Sequence, residues 1–474
     1  MTGRRSVLGA TAVVGLALCA LIALWAGRSN AAINVFVSCN GPGGGPQGLI
    51  NAIQEANADG GGTISLERHC TYTLTNGPFE NGRGQDGLPI IESAITIDGN
   101  GATVARAGGS PAFRLLEVSD DPVGVLTLQD TTLRGGFPGE NPDADRGGGA
   151  ILVNGPGSAL ISGSVFAGNT SNIAGAISVW VGATVRITDS TFRKNEATLG
   201  LEGAGGAISN QLGRLIVTNS LITGNSAKTS GGGINSPGGV NKLTNTTISG
   251  NRTVGGGDDV GGGVALNGFQ GQQATLSVDR STFSGNRAMG FGGSGGAIAS
   301  LDDSVLTVTD STISGNNAGV KDSSNARGGG IYSRAADASV TTTTIAGNRV
   351  LGENASGGGV FSSSFQSLTV AASIIAANTG RNCAGRVEDG GYNLENGQTC
   401  DFADHAVIGK ARLDPLADNG GFTETRALQL KSAARNKIPV SKPYCGDTVD
   451  QRGVSRPQGP ACDIGSFELT PPTR

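Results

Sequence analysis

Leu306-Thr307-Val308-Thr309-Asp310-Ser311-Thr312-Ile313-Ser314-Gly315-Asn316 contains, in eleven residues, the frame on which most of the chain is built. Leu306 and Val308 alternate with Thr307 and Thr309, the period of two that buries one face of a strand and leaves the other wet. Ile313 follows Val308 by five residues and Asn316 follows three later. The same frame holds in Ile161/Phe166/Asn169, Ile187/Phe192/Asn195, Val217/Ile222/Asn225, Leu243/Ile248/Asn251, Val278/Phe283/Asn286, Val340/Ile345/Asn348 and Val370/Ile375/Asn378. Leu128, Leu133 and Gly136 form a ninth copy in which Gly replaces Asn.

Successive asparagines are 26, 30, 26, 35, 30, 32 and 30 residues apart, so insertions fall between copies and never within the frame. Each variable stretch carries a second mark, such as Gly148-Gly149-Ala150-Ile151, Gly205-Gly206-Ala207-Ile208, Gly232-Gly233-Ile234, Gly295-Gly296-Ala297-Ile298, Gly329-Gly330-Ile331 or Gly358-Gly359-Val360. Two marks per period predict at least two strands per coil. A four-stranded propeller blade needs about 40 to 45 residues, more than most of these periods, whereas the rung of a parallel β-helix fits. Stacked rungs place each inward Ile or Val about 4.8 Å from its counterpart above and below, which builds a dry core with few aromatics. The expected fold is all-β, a right-handed parallel β-helix, the hand following from the preference for right-handed parallel crossovers.

The repeated Asn is expected to be scaffold, because its amide both donates to and accepts from stacked neighbours and its backbone tolerates a left-handed bend. Upstream, Gly48–Ala58 places Leu49, Ile53 and Ala56 on one helical face, predicting a short N-terminal helix that covers the first rung. Ile95-Thr96-Ile97 and Val104 read as an early, irregular rung.

Composition agrees with a thin solenoid: 81 of 474 residues are Gly and only 4% are aromatic. With 34 basic and 38 acidic residues, a net charge of −4 and no long run of either sign, nothing points to nucleic acid. Arg4-Arg5 followed by the apolar run Val7–Ala26 and Ser29-Asn30-Ala31-Ala32 predicts a signal peptide cut near Ala31 or Ala32. After cleavage no transmembrane segment is expected. Six cysteines remain outside that run; proximity suggests Cys39 with Cys70, Cys383 with Cys400 and Cys445 with Cys462, among the 15 connectivities that six cysteines allow. The expected organisation is signal peptide 1–32, N-terminal cap and first rungs 33–120, repeats 121–382, and C-terminal rungs with an attached region 383–474.

Gly-Gly-Ala-Ile followed by Phe-x-x-Asn, as in Phe166–Asn169, Phe192–Asn195 and Phe283–Asn286, resembles the repeats of the polymorphic outer membrane protein family, surface β-helices associated with adhesion. A longer similarity, from about Ala52 to Glu468, is to secreted bacterial parallel β-helix proteins with a choice-of-anchor Q C-terminal region. It rests on Asp414-Pro415-Leu416-Ala417-Asp418-Asn419-Gly420-Gly421, Asp450-Gln451-Arg452-Gly453, Arg456-Pro457-Gln458-Gly459 and Cys462-Asp463-Ile464-Gly465-Ser466-Phe467-Glu468. The usual Ser-Pro-Ala-Ile-Asp segment is replaced by Ser432-Ala433-Ala434-Arg435-Asn436. The resemblance implies an exported protein of the cell surface or its surroundings.

Parallel β-helices also serve as polysaccharide lyases and glycoside hydrolases, and glycoside hydrolysis requires two placed carboxylates. The acid pairs Asp120-Asp121, Asp258-Asp259 and Asp302-Asp303 are the candidates, each in a predicted loop. Only His69 and His405 occur, neither with a partner at zinc spacing, and the column Asp189, Asn219, Asn245, Arg280, Asp310 is too mixed for calcium. Arg252, Arg287 and Arg349, each directly after a ladder Asn, could bind an anionic glycan, and the outward Thr188, Thr218, Thr244, Thr309 and Thr341 could form a flat ligand face; solvated turn arginines and exposed β-propensity account for both without a ligand. No residue is therefore assigned as catalytic, cofactor-binding or metal-binding, and no cofactor is expected. The sequence predicts a monomeric, exported, non-enzymatic β-helix protein, adhesin-like or carbohydrate-binding, whose partner is a cell-surface glycan or extracellular polysaccharide; the competing expectation is a polysaccharide lyase or glycoside hydrolase of the pectin-lyase-like fold.

Overall fold

The computed structural model describes residues 33–139, 146–200, 203–323, 325–335, 337–363 and 367–470; the stretch read as a signal peptide lies outside them. The chain is an all-β, right-handed parallel β-helix with one short helix near the N-terminus. In the coil from Ile177 to Ala197, the strands are Ile177–Val179, Thr184–Thr188, Thr191–Arg193 and Glu196–Ala197. Stacked coil on coil, they belong to sheets that we number 3, 1, 2 and 4, with ten, thirteen, thirteen and six strands among the described residues. The Gly-Gly mark opens seven of the ten strands of sheet 3, the Val308-type residues sit in sheet 1 and the Ile313-type residues in sheet 2.

Pairing is in register, so inward columns are continuous. In sheet 3, Ile151, Ile177, Ile208, Ile234, Val264, Ile298 and Ile331 follow one another and none exceeds 1% exposure. In sheet 2 the rings of Phe166 and Phe192 stack with centroids 4.5 Å apart. Each such aliphatic side chain contributes about 1.5–3 kcal/mol on leaving water, and repetition supplies the stability that a thick core would otherwise provide.

The repeated asparagines form an unbroken internal ladder. Asn195 Nδ2 donates to Asn225 Oδ1 at 2.9 Å and to Phe166 O at 3.0 Å, while its Oδ1 accepts from Asn169 Nδ2 at 2.9 Å and from the Asn169 amide at 3.1 Å. The pattern continues through Asn225, Asn251, Asn286, Asn316 and Asn348 to Asn378, and every polar atom of each amide has a protein partner. A second ladder went unread in the sequence. Ser164, Ser190, Ser220, Ser281, Ser311 and Ser373, with Thr246 and Thr343, lie buried at the corner between sheets 1 and 2. The Ser190 hydroxyl accepts from the Ser164 amide at 3.1 Å and donates to Thr188 O at 2.8 Å.

The residue before each ladder Ser or Thr is the left-handed corner itself. Asp189, Asn219, Asn245, Arg280 and Asp310 all have φ between 45° and 50°, so the Asp and Asn in this column answer a backbone requirement. At the opposite corner Gly261 has φ 62°, and a Cβ there would lie 2.3 Å from Val264 O and 2.8 Å from Ala265 Cβ. The corner backbone packs onto the outward side of sheet 3, where the column holds small residues at Ser178, Ser209, Ala265 and Ala299 and larger ones toward its ends, Glu117 and Leu152 on one side, Tyr332 and Phe361 on the other.

The ends are closed by sequence outside the repeat. The helix spans Gly45–Ala58, three residues longer than predicted because Pro46 fits its first turn, and buries Leu49, Ala52, Ile53 and Ala56 on the first rungs. Cys39–Cys70 ties that end, Cys383–Cys400 the last rungs and Cys445–Cys462 the C-terminal region. Beyond Val407–Ile408 the chain turns back and lies along the outer face of sheet 2. There Thr282 Oγ1 donates to Glu424 O at 2.6 Å, Thr312 Oγ1 to Gln451 Oε1 at 2.6 Å, and the Ser466 amide to Thr344 Oγ1 at 3.1 Å. Among the described residues, no helix is long and apolar enough to cross a membrane.

Candidate functional site

The three acid pairs do not converge. Asp120-Asp121 and Asp302-Asp303 lie in loops leading from sheet 3 to sheet 1, and Asp258-Asp259 in a loop entering sheet 3 from the other side. Asp259 is buried and accepts from the Gly255 amide at 3.0 Å; burial raises its carboxyl while the loop amides oppose the shift, the environment of a turn-forming residue. Asp258 is exposed, Asp303 occupies a left-handed turn at φ 53°, and Asp302 pairs with Arg334. Asp120 differs: Arg83 grips it through two hydrogen bonds of 2.8 and 2.7 Å and thereby holds its carboxyl below the ordinary range.

Around Asp120 is a charged cluster that sequence reading otherwise missed. Glu117 projects outward from Leu116–Val118, the edge strand of sheet 3, and is fully buried there by the hairpin Phe79–Asp86 and its neighbours. Its Oε1 accepts from Asn81 Nδ2 and Asn154 Nδ2, both at 2.7 Å, and from Arg83 at 3.4 Å; its Oε2 accepts from Arg114 at 3.3 Å. Arg114, also fully buried, reaches Asp86 Oδ1 at 3.2 Å and donates through Nε to Gly147 O and Gly148 O. Burial pushes the Asp86 carboxyl well up, against the pull of Arg114, and Glu117 adds to the rise. Glu117 is fully buried with both oxygens engaged and Asp86 is equally buried, its Oδ2 without a hydrogen-bond partner among the described residues, so the Asp86–Arg114–Glu117 core lies out of reach of solvent and acts as a brace.

The accessible part of the cluster has a different character. Trp180 is half-exposed, and the Arg146 guanidinium lies 5.0 Å from its ring centroid. Arg146 donates to Asn154 Oδ1 at 3.1 Å, which ties it to the buried brace, and Ser178 Oγ donates to Arg146 O at 2.8 Å. A half-exposed indole with a fixed guanidinium over one face, and the Asp120–Arg83 pair close by, offer aromatic surface and charged hydrogen-bonding groups that can meet the apolar and polar parts of one ring. Little in the sequence announced this, because Arg83, Arg114, Glu117, Arg146 and Asn154 fall outside the repeat frame. Among the described residues, no three His, Cys, Asp or Glu side chains converge as metal ligands.

The outward threonines that suggested a flat face do align in one column of sheet 1, Thr188, Thr218 and Thr244, then Asp279, then Thr309 and Thr341. They are half-buried, and Asp279 interrupts them beside Arg280, its ion-pair partner at 3.0 Å.

No family model and no curated protein matches the sequence. Among solved structures, the chain is similar to pectate lyase Pel9A, with 15% identity, 92% of this chain and 97% of that chain covered, and a TM-score of 0.41. It is also similar to the A-module of mannuronan C-5 epimerase AlgE6 of Azotobacter vinelandii, with 12% identity, 76% of this chain and 99% of that chain covered, and a TM-score of 0.36.

Proposed function

We propose that this chain is an exported β-helix protein of the cell surface or its surroundings that binds a cell-surface or extracellular polysaccharide without cleaving it. The observation that carries the reading is the half-exposed Trp180 with Arg146 held over its ring, built on a brace in which Glu117 is already engaged. Sugar rings present one apolar face and an equatorial rim of hydroxyls, which is what such a platform accepts. Three disulfides fit an oxidising compartment, and the resemblance of Asp414–Glu468 to the choice-of-anchor Q region supports the same location.

One feature favours the second reading, a polysaccharide lyase or glycoside hydrolase: Glu117, buried, and Asp120, at the surface, both contact Arg83, so two carboxylates lie close to one guanidinium. The discriminating experiment combines a glycan array with degradation assays on neutral polysaccharides and polyuronates. Expected is binding that falls about tenfold or more in Trp180→Ala, the size of losing one stacked aromatic hot spot, with no reducing or unsaturated ends released. Product formation abolished by Asp120→Asn establishes the enzyme instead.

A further inference from the structure

Arg252 and Arg287 are directly paired neighbours in sheet 4, one rung apart at about 4.8 Å. Arg349 follows in the same column after Asn317. All three side chains are exposed, and none has an ion-pair or hydrogen-bond partner among the described residues. Seven other arginines, Arg83, Arg114, Arg280, Arg334, Arg386, Arg452 and Arg456, each meet a carboxylate, while exposed ones such as Arg134, Arg186 and Arg214 stand singly among the described residues; what sets this column apart is that two unpaired arginines are direct in-register neighbours. Like charges set directly opposite on neighbouring strands destabilise a sheet, and the chain as a whole is acidic, with a net charge of −4. An unpaired cation column on such a protein is a feature that folding does not require.

The next residue in the column is Thr379, and beyond Arg349 the cations come from the C-terminal region. A Cβ on Gly347, in the same coil, would lie 3.4 Å from Arg426 Nη1, so the C-terminal region lays a further guanidinium over this edge. One step on is a cavity of about 290 Å³ in which Lys410, Arg412, Arg426 and Asn396 rim a floor of three alanines and Leu413. Lys410 and Arg412 are exposed, and Arg426 is held in place by its Nε donating to Asp414 O at 2.9 Å. Two separately built parts of the chain, the fourth sheet and the returning C-terminal region, thus contribute cations to one line parallel to the helix axis. At the other end of sheet 4, Glu196 breaks the sign, two strands before Arg252.

We infer that the edge running from Arg252 through Arg287 and Arg349 to the cavity beside Lys410, Arg412 and Arg426 is a binding track for a linear acidic polysaccharide, a polyuronate. The rung spacing is close to the length of one glycosyl residue in an extended chain, so a polymer with one carboxylate per sugar meets a guanidinium at one-rung and two-rung intervals. The cavity takes a terminal or kinked sugar, with its carboxylate between the three cations. A compact anion would occupy the cavity alone and gain nothing from Arg252 and Arg287. A duplex nucleic acid, far wider than one column of side chains, would need cations on both flanks.

The inference rests on the polysaccharide reading above but uses a different surface, so the two fail separately. The test measures binding of polygalacturonate, heparin, neutral dextran and duplex DNA to the full mature protein at low and physiological salt. Expected are binding of polygalacturonate in preference to dextran and DNA, weakening with salt, and a loss of about tenfold or more in the triple variant Arg252→Gln/Arg287→Gln/Arg349→Gln. The corresponding triple Lys variant should stay within about threefold of the parent, because it preserves charge. Lys410→Gln/Arg412→Gln should shorten the oligouronate that binds best. Equal binding of heparin would mean that the track reads anionic charge on a glycan rather than carboxylate, and it overturns the polyuronate assignment. The inference also fails if the Gln triple variant binds polygalacturonate like the parent, if dextran or DNA binds as well, or if the parent binds none of the four. Loss in Trp180→Ala but not in the Gln triple variant would sink the track and leave the Trp180 platform standing.

Discussion

Thr191 and Thr247 occupy the same outward column of sheet 2 as Thr282, Thr312 and Thr344, in register from coil to coil. The first two are half-exposed; the last three are fully buried beneath the returning C-terminal region. Nothing in the rung sequence distinguishes them, and the partner each hydroxyl finds is decided by a segment more than a hundred residues away. Thr282 donates to Glu424 O and accepts from Gln451 Nε2 at 2.8 Å, and Thr344 accepts from the Ser466 amide. A buried hydroxyl without such a partner costs free energy, so the polar face of the rungs is matched group by group by the cover. The repeats supply a uniform surface, and the sequences that do not repeat give each stretch of it a role.

Arg456 is where that cover is most exposed to disruption. Its guanidinium is fully buried, donates to Asp463 O at 2.9 Å and Gly465 O at 2.7 Å, and lies 3.5 Å from both Glu468 and Asp310. Arg456→Ala leaves Asp310 without its cation and Glu468 with only its two backbone amide donors, and is expected to cost about 3–5 kcal/mol, the usual effect of removing one partner from a buried ionic network. Hydrogen exchange locates the loss: the Ser466 and Gly465 amides should open, while amides around Phe192, in the uncovered half, keep their protection. Equal loss in both halves would mean that the cover and the rungs unfold as one unit.

Gln451→Ala gives a smaller and cleaner contrast. The Gln451 amide bridges Thr282, Thr312 and Thr423 at 2.6–2.9 Å. Its removal is expected to cost about 1–3 kcal/mol through unpaired buried hydroxyls, whereas Thr191→Ala on the open half should fall within about 0.5 kcal/mol of the parent. Chemical denaturation midpoints compare them directly, and two equal values would erase the distinction between the halves.

These particulars also mark what the sequence makes legible. Val308, Ile313 and Asn316 are readable because every rung meets the same neighbours above and below, so one environment is sampled many times. The corner column from Asp189 to Asp310 was visible as a column but its cause, a φ near 45–50°, was not, since Asp and Asn serve both calcium sites and left-handed bends. The Ser190-type ladder escaped because Ser and Thr also fill the solvated positions around it. Among the candidate acids only Asp120 reached the Glu117 cluster, whose long-range contacts join residues 28 to 37 apart without a repeat to betray them. The quoted Asp450-Gln451-Arg452-Gly453 and Cys462–Glu468 motifs proved to be the internal lock of the cover: Arg452 binds Asp450 at 2.6 Å and lies 3.5 Å from the Phe467 ring centroid, while the Glu468 amide returns to Asp450.

Asp310 places a titratable group in the seam between the covered rungs and their cover. Burial raises its carboxyl from 3.8 to about 6, with Arg456 opposing the shift, and burial likewise raises Asp463 and Glu468 on the cover side. Between the unfolded and folded values the native state therefore holds more protons than the unfolded chain, so stability is fully present below pH 3.8 and is lost as pH rises through about 6, levelling off above. Raising the pH from 5 to 7.5 should accordingly lower the melting temperature and speed exchange at the Ser466 amide, with the uncovered rungs around Phe192 unaffected. Asp310→Asn removes the largest resolved titration from the seam and should flatten that pH dependence, the curves of variant and parent converging toward pH 5. If the two curves instead run parallel across the whole range, Asp310 is not the group that couples the cover to the rungs.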